Sequence, residues 1–132
     1  MIVVDASVLA NALADDGPDG ASARDRLTNA GDLVAPDLID VETTAVLRKR
    51  WIAGDLSDQR FSEAISDLED LELTRYPTLP LMRRAFEFRS NVTAYDAAYV
   101  ALAERLSCSL LTADQKLAPA PMFACAVDVL YP

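Results

Sequence analysis

Asp5, Glu42, Asp96 and Asp114 are the residues of this chain whose types and settings could do chemistry. Asp5 closes the run Ile2-Val3-Val4, and Glu42 interrupts the apolar stripe of a helix. Asp96 opens an alanine-rich helix after Thr93, and Asp114 follows the strand-like Leu110-Leu111-Thr112. Carboxylates gathered in one pocket repel one another and cannot all stay ionised without a cation. Four of them meeting at one end of a parallel sheet point to a Mg2+- or Mn2+-dependent enzyme acting on a phosphodiester.

Each of the four also has an ordinary alternative. Asp5 can cap the helix that follows it, although Ser7 is equally able to do so, which leaves Asp5 free for other work. Glu42 has Leu38, Ile39, Ala45 and Val46 as helical neighbours, so its side chain follows the face the helix should bury. An ionised carboxylate there needs a cation, a basic partner or a raised pKa; a salt bridge at the edge of the core is the simple alternative. Thr93-Ala94-Tyr95-Asp96 has the capping-box pattern, which makes Asp96 either a reciprocal cap or a ligand. Asp114 can cap the turn Gln115-Lys116-Leu117, while Thr112 beside it offers a hydroxyl to support a bound water or phosphate.

The elements that must position these residues are legible from periodicity. Residues 2–5 read as a buried parallel-type strand, followed by helices over 7–14 and about 20–30. Leu33-Val34-Ala35 reads as a strand stopped by Pro36, and 37–53 as the longest amphipathic helix, with Arg48-Lys49-Arg50 in its last turns and Gly54 just beyond. Ser57 caps a helix to about Leu71, with Phe61, Ile65 and Leu68 inward. A strand over 73–76, a helix over 79–89, a Thr93-capped helix and strands over 109–112 and 126–130 complete the chain. Alternation of this kind implies an α/β fold, a three-layer α/β/α sandwich around a mainly parallel sheet of about five strands. In such sheets sites form outside the carboxyl ends of the strands, where Asp5 and Asp114 lie.

Composition narrows the chemistry further. The 132 residues are expected to form one domain over 1–132, with 52% hydrophobic and 25% charged residues typical of a packed globule. No apolar run reaches the length of a membrane span, and the chain enters its first strand directly from Met1, so a cytoplasmic setting is expected. Cys108 and Cys125 are too few for a disulfide scaffold and are expected to be buried thiols. The net charge of −9 argues against a general nucleic-acid coating protein and suits a basic protein partner. With no histidine, Ser-His-Asp and Cys-His catalysis and histidine zinc sites are excluded. The four glycines form neither a Walker loop nor a dinucleotide fingerprint.

Taken together, Val3-Val4-Asp5-Ala6-Ser7, Asp40-Val41-Glu42-Thr43, residues 93–103 from Thr93-Ala94-Tyr95-Asp96 onward and Leu110-Leu111-Thr112-Ala113-Asp114 resemble a PIN domain, in particular a VapC-type toxin ribonuclease. The resemblance covers essentially the whole chain. It implies that Asp5, Glu42, Asp96 and Asp114 hold divalent metal, with Ser7 in the polar place after the first aspartate and Thr112 as the supporting hydroxyl. It implies hydrolysis of RNA phosphodiester bonds, a homodimer and a VapB-like antitoxin whose basic side chain approaches the acidic pocket. Some relatives carry a further acidic residue just after the last aspartate; Gln115, Lys116 and Leu117 stand there here, which bears on whether a second metal is held.

Under this reading Asp5, Asp96 and Asp114 hold the metal, and Glu42 is either a ligand or the residue that orients the attacking water. RNA contacts are sought at Arg48, Lys49 and Arg50 and at Arg83, Arg84 and Arg89, with Tyr95 and Tyr99 as stacking candidates and Tyr99 also suited to the core. Two other classes also place an aspartate at the centre of their chemistry. A haloacid-dehalogenase phosphatase needs a second aspartate where Ser7 stands. A phosphoacceptor receiver suits Thr112 and Lys116 but lacks the paired N-terminal acids. A non-catalytic domain with an acidic pocket is the remaining alternative.

Overall fold

In the computed structural model, which describes residues 1–117 and 120–131, five strands form one sheet: β1 (Ile2–Val4), β2 (Leu33–Pro36), β3 (Thr74–Tyr76), β4 (Ser109–Thr112) and β5 (Val127–Val129). Their order is β3-β2-β1-β4-β5, and every pair is parallel. The sheet is thus wholly parallel rather than mainly so. Helices α1 (Ala6–Ala14) and α2 (Pro18–Thr28) connect β1 to β2, and α3 (Ile39–Ile52) and α4 (Asp58–Asp70) connect β2 to β3. A 3-10 turn (Leu79–Leu81), α5 (Met82–Glu87) and α6 (Ala94–Leu106) lead back to β4.

The chain winds outward from β1 to β3 and then returns past β1 to β4. Right-handed crossovers therefore place α1–α4 on one face and α5–α6 on the other, giving three layers. The reversal falls between β1 and β4, the place where an open α/β sheet leaves a crevice at its carboxyl edge. The register Val4↔Leu111 brings the end of β1 level with the end of β4.

The core explains why these segments fold as they do. Val3, Val4, Leu110 and Leu111 are sealed from solvent in the two central strands. Helix α6 rests on β1, β2 and β4, and Ala97, Ala98, Ala101 and Ala103 are all buried there. Their small side chains let its backbone come close to the sheet. Thr93 caps it by accepting from the Asp96 N–H at 3.2 Å. It ends on Ser107, whose left-handed backbone (φ 52°, ψ 47°) is unusual for a residue with a Cβ. Ser57 caps α4 as expected, accepting from the Arg60 N–H at 3.1 Å.

Some boundaries differ from expectation. Pro36 belongs to β2 instead of ending it: pairing with β1 stops at Val34, so the missing N–H of Pro36 interrupts no bond, while its partner Tyr76 continues the β3 side. The long helix begins at Ile39, because the Asp37 N–H still bonds the Tyr76 carbonyl and its carboxylate accepts from Thr78. The expected 79–89 helix divides after Leu81 into a 3-10 turn and the short α5, which ends at Glu87. On α4 the inward residues are Ala64 and Leu68, whereas Phe61 and Ile65 are only half-buried. Among the described residues no helix is long and apolar enough to cross a membrane.

Candidate functional site

Asp5 sits where β1 becomes α1. It is 6% exposed and caps α1, its Oδ1 accepting from the Val8 N–H at 3.2 Å. The cap is therefore Asp5 and not Ser7: with the helix starting at Ala6, Ser7 is already inside the first turn. Ser7 instead donates its hydroxyl to Asp5 Oδ1 at 2.5 Å and accepts from the Ala113 N–H at 3.0 Å. Thr112, fully buried, donates to Asp5 Oδ2 and accepts from the Asp114 N–H at 3.0 Å.

Two hydroxyls thus bridge the end of β1 to the turn after β4. They fix the Asp5 carboxylate and, through two backbone N–H groups, the start of the segment that carries Asp114. A carboxylate oxygen has two acceptor directions, so Oδ2, which Thr112 alone occupies, keeps one open. Asp114 is half-buried, and its Oδ1 accepts from the Lys116 N–H at 2.9 Å, closing the turn foreseen at 115–117 without forming a helix.

Glu42 and Asp96 approach from helices in different layers. Glu42 lies in the first turn of α3 and is half-buried, its Oε1 accepting from the Tyr99 hydroxyl at 2.7 Å. Tyr99 is 2% exposed, three residues after Asp96 on the same face of α6. It is therefore a buried clamp on Glu42, not a surface for stacking. The Asp96–Tyr99 spacing was the available signal for this role. Tyr95, by contrast, is 62% exposed beside Asp96.

The electrostatics join the four carboxylates into one set. Burial holds Asp5 above the usual carboxylate range, and its hydrogen bonds from Ser7, Thr112 and the backbone only partly offset that. Glu42 is raised by burial and by the charges of Asp96 and Asp5, against the lowering effect of Tyr99. Asp96 is raised by burial and by the charges of Asp114 and Asp5. Burial, the bond to Glu42 and the charges of Glu42, Asp5 and Asp96 push the Tyr99 hydroxyl far up, so it remains a donor.

Among the described residues no group of three or more Asp, Glu or Cys side chains is arranged tightly enough to hold a metal ion as it stands. The donor set nonetheless suits a hard divalent cation: oxygen only, anionic, partly desolvated and mutually repelling. A cation would relieve the repulsion that raises Glu42 and Asp96.

The basic residues divide into engaged and open ones. Arg50 donates to Asn11 Oδ1 at 2.6 Å, tying α3 to α1. Arg84 holds Glu104 through two bonds at 2.8 and 3.1 Å, pairs with Glu87 and lies over the Phe88 ring. Those contacts lock α5 to α6. Arg48, Lys49 and Arg83 are exposed. Arg48 lines a groove of about 550 Å3 between α3 and α4, with Trp51, Phe61 and Ile65 among its walls and none of the four carboxylates. Arg75 forms a bidentate pair with Asp40, at 2.8 and 3.0 Å, which fixes the turn of α3 that carries Glu42.

Comparison with known proteins gives concordant results. A family model described as "PIN domain" matches residues 2–121. A VapC ribonuclease of Mycobacterium bovis is 41% identical over 130 residues, covering 98% of each chain. Among solved structures, PAE2754 of Pyrobaculum aerophilum aligns over 98% of this chain and 83% of its own, with a TM-score of 0.70 and 24% identity. VapBC2 of Rickettsia felis, solved bound to a promoter DNA fragment, aligns over 99% of this chain and all of its own, with a TM-score of 0.68 and 12% identity.

Proposed function

Since the chain belongs to the PIN-domain family, we propose that it is a divalent-metal-dependent endoribonuclease, the toxin of a VapBC-type pair, formed as a single PIN-like domain and acting in the cytoplasm. The observation that carries this reading is the coupling of Asp5, Glu42, Asp96 and Asp114 at the carboxyl edge between β1 and β4. The M. bovis relative is named a VapC ribonuclease, which supplies RNA as the substrate class.

In this proposal Asp5, Asp96 and Asp114 hold Mg2+ or Mn2+. When bound, such a cation supplies Lewis acidity toward the phosphoryl oxygens and lowers the pKa of water. The rest falls to the chain. Ser7 and Thr112 hold the Asp5 carboxylate in one orientation, and Thr112 also pins the Asp114 backbone. Tyr99 directs Glu42 by occupying one side of Oε1, leaving the remaining carboxylate oxygen to orient water or to join the ligand set. Arg48, Lys49 and Arg83 are open to bind the RNA backbone, whereas Arg50 and Arg84 would have to leave their present partners.

A VapB-like antitoxin is the proposed protein partner, and its basic group would answer the acidic pocket as a cation does. A neighbour of the fold is named VapBC2, which fits such a pairing, and a homodimer is proposed for the toxin itself. A phosphatase of the haloacid-dehalogenase kind finds no support in the geometry, because the Ser7 hydroxyl that replaces its second acid is bonded to Asp5.

The deciding experiment is end-sequencing of total cellular RNA incubated with the purified protein, with Mg2+ or Mn2+, with chelator, and beside Asp96→Asn. Discrete new ends that need both the metal and Asp96 are expected. Ends that persist in Asp96→Asn would remove this site from the reaction. Absence of new ends, with metal binding established separately, would return the chain to a binding role.

A further inference from the structure

A cleft that the nuclease reading does not use opens between α1, α2 and the carboxyl ends of β4 and β5. Its volume is about 280 Å3, and Asn11, Asp19, Ser22, Ala113, Gln115 and Leu130 line it. The walls are tied to the acidic site and to one another. The Ala113 N–H bonds Ser7 Oγ at 3.0 Å, and Ser7 in turn holds Asp5. The Leu130 N–H bonds the Thr112 carbonyl at 2.7 Å, and Ser22 donates to the Tyr131 carbonyl at 3.2 Å. Asn11 lies one turn beyond Ser7 on the same face of α1, about 6 Å along the axis. A nucleotide held by its phosphate at the carboxylates reaches that far with its base.

The polar groups of the cleft have a defined sense. Arg50 donates to Asn11 Oδ1 at 2.6 Å, and a guanidinium only donates, so the oxygen of this amide is identified. The Nδ2 donor therefore points away from Arg50, which does not line the cleft. Asp19, exposed in the first turn of α2, brings two acceptor oxygens. Leu130 adds a half-buried apolar wall. A double acceptor, an amide donor and an apolar wall match one base best. Guanine carries two adjacent donors, N1–H and N2–H, beside the acceptor O6. Uracil offers a single donor between two acceptors, and adenine and cytosine offer one amino group beside a ring acceptor.

We propose that this cleft is the subsite for a guanine base flanking the scissile phosphate. Asp19 accepts from N1–H and N2–H, Asn11 Nδ2 donates to O6, and Leu130 packs against the ring. The cleft lies at the small end of ligand pockets, which suits one unstacked base and not a length of chain. The inference rests on the nuclease reading for the phosphate and on the cleft alone for the base. It also gives Arg50 a place in recognition, as the group that fixes the Asn11 amide.

The test titrates the isotope-labelled full-length chain, with Mg2+ present, with GMP, AMP, CMP and UMP in turn and follows side-chain amide signals by NMR. These monoesters contain no internucleotide bond, so binding is read without cleavage. The Asn11 and Gln115 signals are assigned by their absence from Asn11→Ala and Gln115→Ala. GMP is expected to move both signals saturably and to bind about tenfold more tightly than any of the other three. Asp19→Asn, a change at an exposed position that spares the core, should remove that preference and leave the weaker binding common to all four. Equal affinity for the four, GMP binding that leaves both signals unmoved, or an undiminished preference in Asp19→Asn would overturn the proposal. In end-sequencing of total RNA, guanine should be enriched at one position beside the cut, and the enrichment should vanish in Asp19→Asn. Metal-dependent RNA ends without a GMP preference would remove the subsite and leave the nuclease. A GMP preference without RNA ends would do the reverse.

Discussion

Thr112→Val tests the arrangement around Asp5 directly, since it keeps the shape of a fully buried side chain and removes only its hydroxyl. Two bonds are lost: the donation to the Asp5 carboxylate and the acceptance from the Asp114 N–H. A hydrogen bond to a charged group contributes about 1.5–3 kcal/mol and a neutral one about 1 kcal/mol, so the loss with Asp5 ionised should be about 3 kcal/mol. The loss must also depend on pH. The folded-state pKa of Asp5 lies above its unfolded value, so between the two the folded form binds more protons and stability falls as pH rises. Without Thr112 the folded pKa moves higher still, and the fall continues to higher pH. Below both folded values Asp5 is neutral in either protein, and the deficit should shrink by about 1 kcal/mol or more. Urea unfolding in chelator at intervals across the range in which the fold is stable, followed by the fluorescence of the single tryptophan, Trp51, measures it. With an m-value of about 1.5–2 kcal/mol/M, the midpoint at the alkaline end should drop by about 1.5–2 M. Thr112→Ser, which keeps the hydroxyl, should recover most of the loss. A deficit that does not change with pH, or Thr112→Ser as unstable as Thr112→Val, would refute the hydrogen-bonded account of Asp5.

Three other perturbations probe neighbouring links. Asp96→Asn should abolish RNA cleavage yet raise the thermal midpoint of the metal-free protein at pH 7.5, because burial and the charges of Asp114 and Asp5 raise the pKa of the carboxyl it replaces. A midpoint below wild type would contradict that sign. Mg2+ titration by calorimetry should show binding to the wild type weakened at least tenfold in Asp96→Asn, and equal affinity would remove Asp96 from the ligand set. Tyr99→Phe removes the bond that lowers the Glu42 pKa, so the acid limb of the cleavage-rate profile should move to higher pH, and an unmoved limb would separate Glu42 from the rate. Ser107→Gly relieves the left-handed backbone at the end of α6 and should stabilise the fold by about 1 kcal/mol in urea unfolding, with cleavage unchanged.

The sequence by itself determined the elements and the identity of the acids. Apolar runs such as Ile2-Val3-Val4 and Leu110-Leu111 could be satisfied only in strands buried on both faces, and the Ser57 and Thr93 caps stood at the starts of α4 and α6. Such signals are local, set by the period of each element and by the few side chains that can bond free N–H groups. The strand-end and helix-face settings of Asp5, Glu42, Asp96 and Asp114 were legible for the same reason.

Only the tertiary structure decided what each residue touches. Asp5 turned out to cap α1 while also accepting from Ser7 and Thr112, because α1 starts one residue earlier than its pattern suggested and Ser7 is turned back onto the carboxylate. Tyr99 reads as core in sequence, yet its hydroxyl meets Glu42 from 57 positions away. Arg50 and Arg84 read as candidate RNA contacts and are instead engaged as ties between helices. Cys108 and Cys125 read as buried thiols and are instead half-buried, just ahead of β4 and β5. These contacts depend on strand order, register and helix crossing, which emerge from packing the whole core and are encoded at no single position along the chain.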